Sequence, residues 1–207
     1  MWTDRVEAGR ELAEKLVGRG YAERDDVIVL GVPRGGVEVA REVADRLGAP
    51  LDVVVVRKIG APGNSEYAAG AVDPDGNVYP NTDAGYSAAY LESAARPEHE
   101  EAQRRVALYR SGRLPLELKG RTVIVTDDGI ATGLTAIAAL RWLRAREAEH
   151  TVLAVPVMPP DTLTRLAAEC DEVVVLAAPA GFYAVGAYYA HFPQLTDAQV
   201  TALLARA

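Results

Sequence analysis

The sequence is poor in the residues that build disulfides and metal sites. Its 207 residues include one cysteine, Cys170, and three histidines. A single cysteine excludes an intrachain disulfide, and the apolar neighbours of Cys170 favour a small buried side chain over a nucleophile. His99, His150 and His191 have no spacing typical of a metal site. Any chemistry therefore has to come from other side chains.

Long apolar runs and an excess of positive charge are also missing. No apolar run reaches the length that spans a membrane, and Met1 to Asp4 lacks the apolar segment of a signal peptide. The net charge of −7 disfavours a nucleic-acid partner held by phosphate neutralisation. There are no repeats, no Walker A loop and no dinucleotide fingerprint. We expect a cytoplasmic globular protein that binds neither nucleic acid nor a membrane.

Strand-like and helix-like segments alternate along most of the chain. Strands are predicted near 27–30, 51–56, 67–72, 123–126, 152–157 and 173–176. Helices are predicted near 3–18, 37–47, 135–146, 161–169 and at the C-terminus, and Gly18 and Gly48 end the first two. This alternation predicts an α/β fold with a doubly wound, mainly parallel sheet and helices on both faces.

The chain length suits one domain, 1–207, with two departures from the alternating pattern. The predicted core covers about 20–80 and 120–178. A polar insertion at about 81–119 is expected to form two helices, Ser87–Ala95 and Pro97–Ser111, since proline favours a first helical turn. The insertion and the tail, about 179–207, are expected to form a small hood or cap, and the tail is expected to end in a helix capped by Thr196 and Gln199.

The stretch from Val123 to Thr135 contains the strongest chemical signal. A buried strand end is followed by Asp127 and Asp128, then by a loop of glycine and threonine, then by an apolar helix. The start of that helix offers unpaired N–H groups and the positive end of its dipole, which suit a phosphate. The two carboxylates could bind sugar hydroxyls directly or through a hydrated Mg²⁺. The alternative is an ordinary strand-to-helix turn with a capping aspartate and packing glycines.

This stretch resembles the phosphoribosyl-diphosphate (PRPP) binding motif of the type I phosphoribosyltransferases, in which two acidic residues precede a Thr-Gly-x-Thr loop. The resemblance assigns the ribose hydroxyls and Mg²⁺ to Asp127 and Asp128, which would be catalytic, with the metal bound directly or through water. It assigns the 5′-phosphate to the loop residues Gly129, Ile130, Ala131, Thr132, Gly133, Leu134 and Thr135.

The resemblance also implies where the diphosphate binds. Arg34, Gly35 and Gly36 follow the first core strand, where the family has its diphosphate loop, and Lys58 falls near the end of the next strand, where the family has a basic residue. Arg34 and Lys58 could instead be solvated surface charges, and the glycines could simply fit a tight turn. The family's mobile lid would correspond to Gly60–Glu66, although that segment is short for the task.

Three features bear on the acceptor. Family members that act on 6-oxopurines usually have an acidic residue just before the Thr-Gly-x-Thr, and here that residue is Ala131. A proton-transferring group must then lie elsewhere, and Glu66 is the candidate in the lid, although it could equally be a solvated loop charge. Phe182, Tyr183 and Tyr188 of the tail could stack a planar base, fill the core or form a homodimer contact.

The resemblance implies an enzyme of the pentosyltransferase type. It would transfer the phosphoribosyl group of PRPP to a nitrogen of a nucleobase-like acceptor, depend on Mg²⁺ and release diphosphate. The alternative is a regulatory protein that keeps the pocket in order to sense PRPP or a nucleotide. Arg34 and Lys58 favour the enzyme because both suit a diphosphate leaving group.

Overall fold

The computed structural model of the protein describes residues 1–205, apart from the side chains of Ser65 and Glu66. The helices are α1 (Arg5–Val17), α2 (Gly35–Leu47), α3 (Ala88–Arg110), α4 (Leu134–Ala145), α5 (Pro160–Leu166) and α6 (Asp197–Ala205). The strands are β1 (Val27–Gly31), β2 (Leu51–Val53), β3 (Arg57–Ala61), β4 (Asn64–Val72), β5 (Val78–Pro80), β6 (Thr122–Thr126), β7 (His150–Val157) and β8 (Glu172–Ala177).

Five strands form a parallel sheet in the order β2-β1-β6-β7-β8. Successive strand residues point to opposite faces, and the sequence fills both faces with apolar side chains. Val29 and Ile124 belong to the core cluster beneath α1, α2 and α6. Val123 and Val125 belong to the cluster beneath α4 and α5. The predicted mainly parallel sheet with helices on both faces is confirmed.

The region after β2 differs from the prediction. The expected strand at 51–56 stops at Val53, and Arg57 and Lys58 begin β3 of a separate antiparallel sheet with the order β3-β4-β5. All six residues from Leu51 to Val56 are buried. The apolar pattern of the sequence therefore does not show that the strand of the parallel sheet ends at Val53. The predicted loop after Gly60 is a hairpin whose turn is only Pro62 and Gly63, and Gly63 has a φ of +73°.

The insertion contains one long helix instead of two. α3 runs through Pro97 without a break. Its buried residues Leu91, Ala95, Ala102 and Tyr109 are spaced by four and seven, so one face is buried along the whole helix. Packing along this face holds the helix together where the missing proline N–H would otherwise favour a break.

The tail passes the carboxyl end of β7, where Val185 packs against the cluster that includes Val157, and then returns to the core. Leu195, Val200 and Leu204 join the cluster beneath α1 and α2. The predicted capping box is present, because the Gln199 N–H donates to Thr196 Oγ1 at 3.2 Å and the Thr196 N–H donates to Gln199 Oε1 at 2.8 Å. Among residues 1–205, no helix combines the length and apolar character needed to cross a bilayer.

Candidate active site

The acidic pair lies at the carboxyl end of β6, the edge where open α/β sheets bind ligands. The Asp128 N–H donates to Asp127 Oδ1 at 2.8 Å. The Asp127 carboxylate therefore lies beside the backbone of the next residue. Burial, and then repulsion by Asp128, raise the pKa of Asp127 well above its usual value. Burial also raises the pKa of Asp128, against the opposing effect of Arg5. The site therefore disfavours two negative charges on the pair, and a bound cation would favour the doubly ionised form.

The second carboxylate is held by residues far away in the sequence. Arg5 Nε donates to Asp128 Oδ2 at 2.7 Å, and the Tyr189 hydroxyl donates to the Asp128 carbonyl at 2.5 Å. The sequence predicts contact with the acidic pair for neither residue. Arg5 is 123 residues from Asp128, and no local pattern marks it as a partner.

Two glycines bring the loop after β1 against the acidic pair. A Cβ on Gly35 would lie 1.9 Å from Asp128 Oδ2, and a Cβ on Gly36 would lie 2.7 Å from the Asp127 Cα. The Val32 N–H donates to the Thr126 carbonyl at 2.9 Å, which joins the two strand ends. The predicted diphosphate loop and the predicted ribose site are therefore neighbours.

Arg34 lies in the same loop but points elsewhere. The Pro33–Arg34 peptide bond is cis, and Arg34 precedes the first residue of α2. Its Nη1 lies 3.9 Å from Asp197 Oδ1, at the start of α6. The guanidinium therefore faces the tail in this structure.

The predicted phosphate loop leads into α4, which begins at Leu134, so Leu134 and Thr135 lie in the first turn of the helix. The Ile130 N–H donates to the Val157 carbonyl at 2.9 Å, and Thr162 Oγ1 donates to the Ala131 carbonyl at 2.8 Å. Arg165 donates to the Thr132 carbonyl. The first N–H groups of α4 have no acceptor within the helix and can bind an anion.

Packing explains both glycines of this loop without a ligand. A Cβ on Gly129 would lie 2.6 Å from Val185 Cγ1. Gly133 has a φ of +79°, and a Cβ there would lie 2.9 Å from Thr162 Cγ2. The sequence suggested close approach to a ligand, whereas the neighbours in the structure are side chains of the tail and of α5.

A cleft of about 600 Å³ separates this loop from the small antiparallel sheet. Lys58 and Tyr67 line one wall, and Thr132 and Arg165 line the other. The structure thus brings Lys58 opposite the predicted phosphate loop, although Lys58 lies on the small sheet rather than at the end of a core strand. The Glu66 side chain is outside the described residues. A second cavity of about 320 Å³, between α3 and α4, contains none of the predicted site residues.

The aromatic residues of the tail pack mainly among themselves. The rings of Phe182 and Tyr188 stack with centroids 5.5 Å apart, and both pack against a cluster that includes Trp2 and Tyr189. Tyr183 is 92% exposed. In this arrangement Phe182 and Tyr188 contact each other, and a base-stacking role stays a prediction.

Magnesium is the metal that the resemblance implies. Among the side chains that the structure describes, which exclude that of Glu66, no group of three or more histidine, cysteine, aspartate or glutamate residues could hold a metal ion. Mg²⁺ commonly uses one or two carboxylates together with water and substrate phosphates. Asp127 and Asp128 fit that limited donor set, and a bound cation would favour the ionised form of both.

Comparisons with known proteins bear on the family and the fold of this chain. The model of the phosphoribosyl transferase domain matches residues 2–183. The "Putative phosphoribosyl transferase Rv0571c" of Mycobacterium tuberculosis is 47% identical over 211 residues, which cover 100% of this chain and 47% of that protein. The chain thus spans about half the length of the curated relatives it matches.

Two solved structures support the fold. The crystal structure of TT1426 from Thermus thermophilus has a TM-score of 0.84 and 45% identity, and the match covers 99% of this chain and 97% of that chain. A purine phosphoribosyltransferase from Pyrococcus horikoshii has a TM-score of 0.50 and 21% identity, with 88% and 87% coverage. The second match bears on the fold alone.

Proposed function

This chain belongs to the phosphoribosyl transferase domain family, and from that membership we propose that it transfers a phosphoribosyl group from PRPP to a nitrogen of a nucleobase-like acceptor. Diphosphate is the leaving group, and the reaction depends on Mg²⁺. The observation that carries the proposal is the contact of Gly35 and Gly36 with the acidic pair. PRPP bears its diphosphate on the ribose carbon next to the hydroxyls, so its two binding elements have to be neighbours.

Each part of the substrate has a group that suits it. Asp127 and Asp128 hold the ribose hydroxyls and Mg²⁺, and the first turn of α4 with Thr132 and Thr135 holds the 5′-phosphate. Gly35 and Gly36 supply backbone donors to the diphosphate, and Lys58 supplies positive charge. Arg34 adds to that charge by turning from Asp197 to the bound diphosphate. Lys58 lies across the cleft from Thr132, which supports a ligand that spans the gap.

The chemistry is a displacement at C1 of the ribose. The C1–O bond to the diphosphate breaks, a bond from C1 to the acceptor nitrogen forms, and positive charge develops on the sugar between them. The protein aligns the two reactants and stabilises the departing negative charge, without a covalent intermediate. When bound, Mg²⁺ neutralises charge on the leaving diphosphate.

The proton on the acceptor nitrogen has to be taken up by a group other than Ala131, which has no titratable side chain. Glu66 stays our candidate, and β4, which contains it, also contributes Tyr67 to the cleft wall. Gly60–Glu66, around the turn between β3 and β4, stays our candidate for the lid. A cytoplasmic location and a homodimer are likewise predictions.

A regulatory protein that senses PRPP is the second candidate, because binding alone uses most of the same groups. The two are separated by incubating the protein with PRPP, Mg²⁺ and a panel of purine and pyrimidine bases while diphosphate release is followed. The enzyme proposal expects base-dependent release for at least one member. Tight PRPP binding with no release for any base would favour the sensor.

A further inference from the structure

We propose that Arg5 is the positioning residue of the acidic pair: it holds the Asp128 carboxylate in the orientation in which the pair binds the ribose of PRPP. This inference rests on the proposed function and assigns a role in it to the N-terminal helix. Arg5 is the first residue of α1, a helix that otherwise packs against α2 and the sheet. It is distant in sequence from all the predicted site residues.

Arg5 is a buried cation with contacts to several parts of the chain. Its side chain is only 5% exposed. Nε donates to Asp128 Oδ2 at 2.7 Å, and Nη1 donates to the Pro193 carbonyl at 2.8 Å. The guanidinium lies 3.8 Å from the centroid of the Phe192 ring, and Nη1 lies 3.9 Å from Glu38 Oε2. Burying the guanidinium costs free energy, which these contacts offset, so removing Arg5 would leave the Asp128 carboxylate without its ion-pair partner.

The contacts require the shape of arginine. One planar group donates in two directions and presents a face to an aromatic ring. Lysine carries the same charge as a single point on a flexible stem, so it lacks the planar group that donates from two separate nitrogens while its face lies on Phe192. The arrangement therefore fixes the position of the cation as well as its charge.

The consequence for the site follows from the two adjacent carboxylates. Without Arg5, Asp127 and Asp128 would present two unpaired charges in a confined space, and the Asp128 side chain would be free to turn away. With Arg5 on Oδ2, the carboxylate is held in one place beside Gly35. A Cβ on Gly35 would lie 2.9 Å from Arg5 Nε, so the diphosphate loop closes over the same ion pair.

A double-mutant cycle tests whether Arg5 acts through Asp128. The variants are Arg5→Gln, Asp128→Asn and the combination, with Arg5→Lys as the conservative change. Arg10→Gln is the control, because Arg10 lies on the same helix, is 71% exposed and pairs only with Glu42 among the contacts described. The dissociation constant for PRPP with Mg²⁺ is measured by calorimetry at a temperature where circular dichroism shows each variant folded.

We expect Arg5→Gln to weaken PRPP binding about tenfold or more and Arg5→Lys to weaken it less, whereas Arg10→Gln leaves it unchanged. In the Asp128→Asn background, Arg5→Gln should change the affinity by no more than about twofold, since its partner is already altered. A purely structural role for Arg5 would lower Tm and leave the affinity of the folded protein intact. That result, or fully additive losses, would overturn the inference.

Two other results are decisive in the same experiment. If Arg5→Gln does not fold, the cycle is run with Arg5→Lys. Wild-type affinity for PRPP in Arg5→Lys would then contradict the inference that the guanidinium positions Asp128. If the wild-type protein itself fails to bind PRPP, the proposed function is wrong and this inference is wrong with it. Normal wild-type binding with an unaffected Arg5→Gln variant contradicts the inference alone.

Discussion

Gly36 determines how closely the loop after β1 can approach the acidic pair. A Cβ added to Gly36 would lie 2.7 Å from the Asp127 Cα and 2.8 Å from the Thr126 carbonyl oxygen. Both are backbone atoms, so relieving the clash requires the end of β6 to shift. Gly36→Ala should therefore lower the free energy of unfolding by about 1–3 kcal/mol, as overpacking does. It should also weaken PRPP binding.

Gly181→Ala is the matched control for Gly36→Ala. Gly181 has no atom within 4 Å of its Cβ position, so both thermal unfolding and PRPP binding should stay close to wild type. Equal stability and affinity in the Gly36→Ala and Gly181→Ala variants would mean that the contact with Asp127 relaxes without consequence.

Arg34 provides a second test at the residue scale. Arg34→Ala should weaken PRPP binding about tenfold or more and affect ribose 5-phosphate much less, because a charge-assisted hydrogen bond is worth roughly 1.5–3 kcal/mol and only PRPP carries the diphosphate. Arg46→Ala removes the same charge from the far end of α2, where Arg46 pairs with Glu14, and should change neither affinity. Equal losses for the two ligands in Arg34→Ala would contradict the diphosphate role. Calorimetry supplies both constants.

The site residues differ in how far the sequence could predict them. Asp127 to Thr135 form one continuous motif between a strand and a helix, so their grouping follows from local order. Arg5 and Tyr189 reach Asp128 only because α1 and the tail fold over the same edge of the sheet. No local pattern indicates a contact across 123 residues.

At the scale of elements, α3 shows how packing can override a local preference. Pro97 predicts a helix start, yet the buried face from Leu91 to Tyr109 continues across it. An interior proline costs about 3 kcal/mol relative to alanine, of which about 0.4–1 kcal/mol is offset through the unfolded chain. Pro97→Ala should therefore raise the free energy of unfolding by roughly 2 kcal/mol.

Pro160 gives the control for Pro97, since it lies in the first turn of α5, where proline is favourable. Denaturant unfolding should show no gain for Pro160→Ala. A similar gain for both variants, or no gain for Pro97→Ala, would mean that proline does not strain α3.

The contact between α3 and α6 predicts a pH dependence. The Tyr109 hydroxyl donates to Asp197 Oδ1 at 2.7 Å, and this hydrogen bond lowers the pKa of Asp197 from its usual value of 3.8. A carboxylate with a lowered folded-state pKa adds stability that is present above the unfolded-state pKa and is lost as the pH falls through the folded-state pKa.

Tyr109→Phe should cost about 1.5–3 kcal/mol at pH 7, and the cost should shrink below about pH 4. Unfolding in guanidinium chloride at several pH values measures it. A difference from wild type that is the same at pH 7 and pH 3 would contradict the contribution of the Asp197 charge.

At the scale of the whole molecule, two sheets enclose the site. The alternating sequence predicts the parallel sheet, but it gives no signal for the point at which the chain passes from β2 to the small sheet, because Val54 to Val56 are buried like a continuing strand. Asp75, in the turn before β5, accepts hydrogen bonds from Trp142 in α4 and from Arg146 directly after it. These bonds connect the small sheet to α4. The turn at Pro62 and Gly63 lies at the opposite end of β4.

The central claim is that the acidic pair and the loop after it bind PRPP. The most direct test is calorimetry of PRPP binding, with and without Mg²⁺, to the wild-type protein and to the variant with both Asp127→Asn and Asp128→Asn. We predict that the wild-type protein binds PRPP more tightly with Mg²⁺, and that the double variant binds weakly while its circular dichroism is unchanged. Wild-type affinity in the double variant, or no dependence on Mg²⁺ in either protein, would contradict the account.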